Sequence, residues 1–213
     1  MTTTIFLESN EGYVAEVDRD TIMELSKLIK DLLQEDEEDS SEDGDVGGID
    51  MEMDTGVASV PVPKPHTQVT LPLLNINTFA LEAIEGFCVL YKENPLKEGG
   101  IAEPVKANKP FRESVTPDVY VDLLPSVDLT DPDEHTMDQI NVLMDAAKYL
   151  MMDAFVYLLN ANIGYAINTI GAKYPGKDQL SEAVEVFRKV FHIENDFEEG
   201  EEERVHKELN EIM

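Results

Sequence analysis

The sequence predicts an α+β fold: a β-hairpin and a third strand interleaved with helices, followed by a second half that is nearly all helical. Three observations carry this. Ile5 and Leu7 alternate with polar neighbours in the opening residues, as in a half-buried strand. Apolar stripes at three- and four-residue spacing recur from Thr21 to the last residue. Between them a single further β-prone run, Gln68 to Leu74, leads into a capped helix.

Thr2 to Glu8 is β-prone, Ser9-Asn10-Glu11-Gly12 is turn chemistry, and Tyr13 to Val17 returns as a second strand. One helix follows. Thr21 and Glu24 fit a capping box, and Ile22, Leu25, Leu28, Ile29, Leu32 and Leu33 form its stripe. Residues 34 to about 66 are expected to be an unfolded insertion. Glu35 to Asp54 holds eleven acids, no base and three glycines, too little apolar surface to offset the entropy of ordering. Pro61, Pro63 and Pro65 then impose an extended connector. After the third strand, Asn77 caps a helix over Thr78 to Lys92 that buries Phe79, Leu81, Ala83, Ile84, Phe87, Cys88 and Tyr91, and Asn94-Pro95 stops it.

A proline-punctuated connector, about 96–133, holds a candidate strand at Val119 to Leu124. Thr136 and Gln139 make a second capping box, with Met137, Ile140, Leu143, Met144, Ala147 and Leu150 on one face. A helix from Asp153 to Ile170 ends at Gly171. After the turn Tyr174-Pro175-Gly176, a helix over Gln179 to Phe191 puts Leu180, Val184, Phe187 and Phe191 on one side. Asp196 and Glu199 cap a last helix carrying Val205, Leu209, Ile212 and Met213. The expected organisation is a main domain over 1–170 and appended helices over 171–213.

Charge narrows the function. The 213 residues carry a formal charge of −29, and removing the eleven acids of the insertion still leaves −18. Nucleic acid and anionic membrane both require clustered cations, so neither is an expected partner. No apolar run approaches the roughly 20 residues of a bilayer span. The start, MTTTIFLES, has neither the basic nor the apolar part of a signal peptide. With one cysteine, Cys88, no internal disulfide can form, and the expectation is a soluble, reduced, intracellular protein.

Catalytic patterns are missing. His66, His135, His192 and His206 lack metal-ligand spacing, no glycine-rich phosphate loop or nucleophile elbow occurs, and Asp39 to Asp50 lacks the EF-hand pattern. Cys88 sits in an apolar helix, as an inert buried thiol does. No cofactor, no metal and no catalytic residue are expected. What remains is surface: Phe191-His192-Ile193-Glu194-Asn195-Asp196-Phe197 places three large apolar residues in a short connection, and the last helix keeps its apolar stripe to the end. These residues either close the chain's own core or form an apolar groove for a partner helix.

Several blocks, in order, resemble the S-phase kinase-associated protein 1 family, the adaptors of SCF ubiquitin ligases. They are Ile5-Phe6-Leu7-Glu8-Ser9 with Gly12 and Glu16-Val17-Asp18; the acidic tract; Leu71-Pro72 and Asn75-Ile76-Asn77 through Cys88, with Tyr91-Lys92-Glu93-Asn94-Pro95. Ala146-Ala147-Lys148-Tyr149-Leu150 is similar to the family's A-A-N-Y-L, and Phe191 to Phe197 with Glu201-Glu202-Glu203, Val205 and Lys207-Glu208 to its F-x-I-x-N-D-F-x-x-E-E-E signature, the most specific block. The resemblance implies a BTB/POZ-like domain, a small sheet flanked by helices, with extra C-terminal F-box-binding helices. It implies a non-catalytic adaptor in protein ubiquitination, cytoplasmic and nuclear, bridging a cullin and F-box proteins. The F-box side would use Ile163, Phe191, Ile193, Asn195, Asp196, Phe197, Val205, Leu209 and Ile212. The cullin side would use Asn141, Lys148, Tyr149 and Met151. An apolar groove would also favour weak homodimers in the free protein.

Three departures mark a divergent member. Lys148 stands where the family has asparagine, Asn141 where it has an aromatic, and Glu211 and Ile212 where it closes with tryptophan and cysteine. A lysine brings charge and about 2 kcal/mol of side-chain entropy to a contact, so a cullin partner would need a compensating acid. The alternative expectation is therefore a non-ligase scaffold that binds an F-box protein without a cullin. A plain BTB oligomerisation module or elongin-C-like adaptor fits less well, because that subfamily lacks the C-terminal helices.

Overall fold

The computed structural model describes residues 4–39, 69–125, 134–176, 179–198 and 200–212. The fold is α+β, with one small three-stranded sheet and several helices. Strand β1 (Thr4–Ser9) pairs antiparallel with β2 (Val14–Asp18), setting Ile5 opposite Val17 and Leu7 opposite Ala15. All four are buried, so the period-two pattern defines the core face. In the turn, Gly12 takes a φ of +85°, and the Ser9 hydroxyl accepts the amides of Glu11 and Tyr13 at 3.3 and 3.0 Å. Strand β3 (Thr70–Leu73) joins the other side of β1 in parallel, giving the order β2-β1-β3.

Asp18 caps α1 (Arg19–Leu25): its Oδ1 accepts the Thr21 amide at 3.1 Å and the Thr21 hydroxyl at 2.7 Å. This corrects the Thr21–Glu24 capping box. The last residue of β2 is already extended and carries the carboxylate, so the helix starts earlier. The single helix expected here is two. Ser26 (φ −116°, ψ 114°) breaks it, and α2 follows over Lys27–Asp39. The break leaves Ile22, Leu25, Ile29 and Leu33 buried and turns Leu32 outward. The α2 backbone also passes the boundary expected at residue 34, carried by Gln34, Glu35, Glu37 and Glu38, which are good helix formers. The rest of the acidic insertion and the proline connector lie outside the described residues.

Asn77 Oδ1 accepts the Ala80 amide at 2.9 Å and starts α3 (Thr78–Glu93), which buries Leu81, Ile84, Phe87 and Cys88. Phe79, expected in the core, is exposed because it lies off the Ala80–Ile84–Phe87 stripe. α3 also closes the β2 edge. Glu85 accepts the Glu16 amide at 3.2 Å and the Tyr13 hydroxyl at 2.6 Å. The other edge strand carries Pro72, which has no N–H to offer.

The strand expected at Val119 to Leu124 does not form. Asp118–Leu123 is a 3-10 helix, as is Phe111–Ser114. The β-prone run instead drives Tyr120 into the core, its ring centroid 5.2 Å from that of Phe87 and its hydroxyl donating to the Asn94 carbonyl at 2.8 Å. Helix α4 spans Glu134–Tyr149, so Thr136 is interior rather than a cap. Helix α5 (Asp153–Lys173) runs through Gly171, and through the boundary expected after residue 170. Its stop is Tyr174, the residue before Pro175, where an α conformation is sterically disfavoured. Helices α6 (Leu180–Phe191) and α7 (Glu201–Ile212) complete the chain. α7 begins after Gly200, at φ +81°, so Asp196 is too distant to cap it, and Glu199 lies outside the described residues.

One core joins the sheet's inner face to α1, α2, α3, α4 and α5, with Phe87 stacked on Phe155 at 4.7 Å. A second cluster, Met137, Ile140, Ile170 and Val190, seats α6 against α4 and α5. No helix among the described residues is long and apolar enough to cross a membrane.

Candidate interaction surfaces

The first surface lies where α4 ends. The buried stripe of α4 includes Ile140, Leu143, Met144 and Ala147, which leaves Asn141, Asp145, Lys148 and Tyr149 on the outer side. Tyr149 is 40% exposed and Met151 47% exposed. The helix closes in a Schellman motif: the Met152 amide bonds to the Ala147 carbonyl at 2.9 Å and the Met151 amide to the Lys148 carbonyl at 3.0 Å. The left-handed position of such a motif usually holds glycine, but here it holds Met151, with φ +55°. Met152 is fully buried, while Met151, like Tyr149, is exposed. Of the four residues expected on the cullin side, Lys148, Tyr149 and Met151 share this exposed end of α4, while Asn141 is exposed about two turns earlier, in the middle of the helix.

The second surface is formed by the end of α6 and the 192–198 segment, which α7 follows in the chain. Phe191 is half-buried, its ring 4.5 Å from Phe187, and belongs to the second core cluster as much as to the surface. Ile163 is likewise half-buried, packed between both clusters. Ile193 is 48% exposed, Phe197 40% and Val205 37%. Asn195 and Asp196 are exposed. The Asn195 side chain accepts the Phe197 amide at 3.3 Å, whereas Asp196 makes no such bond among the described residues. Leu209 and Ile212 belong to α7, and their side chains lie outside the described residues. No described side chain of α7 is buried.

Sequence reasoning did not single out Arg188. Its guanidinium lies 5.3 Å from the Phe197 ring centroid and 2.8 Å from Glu185 Oε1, so it anchors the 192–198 segment to α6. At the end of α6 a second non-glycine residue, His192, is left-handed at φ +52°. Its Nδ1 lies 3.5 Å from Asp138 Oδ1, near the start of α4. The second surface therefore meets α4 near Asp138, about 16 Å by helical rise from the Tyr149 end but only about one turn from Asn141.

Chemistry elsewhere is sparse. Cys88 is buried, and burial pushes its thiol up to about 12, far from a reactive thiolate. Its neighbours Glu85 and Asp18 add to that shift. An open depression between the 96–103 segment and α5 brings Lys97, Glu103, Asp153 and Tyr157 together, with the Tyr157 hydroxyl donating to Glu103. It presents no nucleophile paired with a base. Among the described residues no group of three or more histidine, cysteine or acidic side chains is placed to hold a metal ion.

A scan of the chain against protein-family models finds no match, and a search of the curated proteins finds none.

Proposed function

We propose that the chain is a non-catalytic adaptor of BTB/POZ type that bridges an F-box protein and a cullin in protein ubiquitination. The observation that supports this is that large apolar side chains stand exposed in two separate places, Tyr149 and Met151 at the end of α4 and Ile193 and Phe197 after α6. Each lies on the block that resembles the corresponding family surface. A bridge of this kind breaks and forms no bond of its own. It fixes two partners at a set separation and raises their effective concentration. In this reading Phe197, Ile193, Val205, Leu209 and Ile212 meet the F-box helices, with Ile163 and Phe191 beneath them and Asn195 and Asp196 at the rim. Asn141, Lys148, Tyr149 and Met151 meet the cullin, and the protein works in cytoplasm and nucleus.

Lys148 and Asn141 favour a second reading, a scaffold that holds an F-box protein without a cullin. Lys148 is exposed and, among the described residues, makes no ion pair, so a cullin lacking an opposing carboxylate would strand its charge. Affinity purification of the tagged chain from its own cells, read by mass spectrometry, separates the two. Recovery of F-box proteins with a cullin supports the ligase adaptor. F-box proteins without a cullin support the scaffold, and neither class removes both readings. Lys148→Glu refines the result: gain of cullin binding would show that the lysine is what excludes it.

A further inference from the structure

We propose that the break at Ser26 is a clamp that sets the shape of the α4–α5 corner, making Ser26 and Lys27 positioning residues for the surface of Lys148, Tyr149 and Met151. The surface role rests on the function proposed above; the clamp itself does not. Ser26 is fully buried, yet its hydroxyl is fully used. It accepts the Ile29 amide at 3.2 Å, capping α2, and donates to the Leu150 carbonyl at 2.5 Å, across 124 positions of sequence. That carbonyl belongs to the peptide plane between Leu150 and Met151, whose orientation is fixed by ψ of Leu150 and φ of Met151. Holding the oxygen holds the plane, and holding the plane holds Met151 left-handed.

A side chain at such a φ persists only where its surroundings over-determine it. The Schellman bonds satisfy the end of α4 but come from α4 itself. The Ser26 bond comes from another element, whose neighbours Ile22 and Leu25 are anchored in the main core. One residue on, Lys27 Nζ lies 2.5 Å from Asp153 Oδ2 at the first residue of α5. Both ends of that pair are exposed, so it orients more than it stabilises. The corner is thus gripped on both sides of Met151, by residues adjacent in sequence. The ordering of Tyr149 and Met151 is completed when the chain folds, which removes that cost from binding.

Hydrogen exchange on the full chain tests the clamp without any partner. In Ser26→Ala the Met152 amide should exchange about tenfold faster relative to the Phe87 amide, which reports opening of the main core. A parallel rise of both amides, or no change at Met152, overturns the proposal, since a purely stabilising serine would move them together. Ser26→Gly removes the same hydroxyl at a smaller capping cost and is read in the same way if the alanine variant does not fold. A recombinant cullin N-terminal region is the binding probe. Wild type should bind it and Ser26→Ala about tenfold more weakly; equal binding overturns the positioning role. A wild type that does not bind removes the docking reading of this corner and leaves the clamp to the exchange result.

Discussion

Met151 offers a sharp test, because the structure makes glycine and alanine change places there. At an ordinary position glycine is less stabilising than alanine by about 0.5–1 kcal/mol, the entropy it carries in the unfolded chain. At φ +55° any side chain sets a Cβ against the following carbonyl, which costs about 1–2 kcal/mol and which glycine avoids. The difference puts Met151→Gly above Met151→Ala by about 0.5–1 kcal/mol. Both variants give up the half of the methionine side chain that is covered, about 1 kcal/mol. Alanine should therefore fall about 1 kcal/mol below wild type, with glycine close to wild type. Urea unfolding followed by circular dichroism at several protein concentrations measures all three. If Met151→Ala proves more stable than Met151→Gly, the left-handed strain is absent and the corner argument fails with it. If Met151 meets a partner, both variants lose affinity to a similar extent, so binding and stability rank the two substitutions differently.

Further outcomes are expected. Asp18→Ala should cost about 1 kcal/mol as a lost helix cap. Asp18 is held below the ordinary value of 3.8 by the Thr21 hydroxyl first and Lys92 second, so its contribution is full above that value and lost as pH falls through the lowered pKa. Urea midpoints of wild type and variant should therefore converge in acid. At the other extreme, burial raises Cys88 from 9.0, and Tyr120 from 10.0, each to about 12. The stability tied to each raised group is intact below its unfolded pKa and lost as pH climbs through the folded one. Stability should fall between 9 and 12, and Cys88→Ala should delay the onset toward the range where Tyr120 titrates. Iodoacetamide at about pH 8 should label Cys88 in urea and spare it in the native protein. Phe155→Ala, which removes the ring stacked on Phe87, should cost about 3–5 kcal/mol by thermal or urea unfolding.

Much of the fold was legible where local chemistry and burial agree. The alternation of Ile5 and Leu7 and the turn at Gly12 mark the hairpin. Asn77 and Pro95 bracket α3 because one supplies an acceptor for a free amide and the other forbids α conformation before it. What escaped depends on distant partners. A serine inside an apolar stripe gives no sign of a break when the group that receives its hydroxyl is the Leu150 carbonyl. Val-Tyr-Val in 119–121 has strand propensity but no strand beside it among the described residues, and the burial of Tyr120 decides for the 3-10 form. At the surfaces, Tyr149 could be placed outside because it lies off the stripe ending at Leu150. The left-handed Met151 and His192 could not, since neither residue type announces positive φ.

The sheet order carries a consequence for synthesis. β1 is the central strand, and its parallel partner β3 follows it by about 60 residues, roughly 3–12 s at translation rates of about 5–20 residues per second. Through that interval the emerging hairpin presents one side of β1 with nothing yet made to pair with it, a template for neighbouring chains on the same message. The stretch synthesised meanwhile is the most acidic in the protein, eleven acids and no base between Glu35 and Asp54. Like charge thus accumulates on the nascent chain during the seconds in which the edge is open, and repulsion between such chains opposes their pairing until β3 is made.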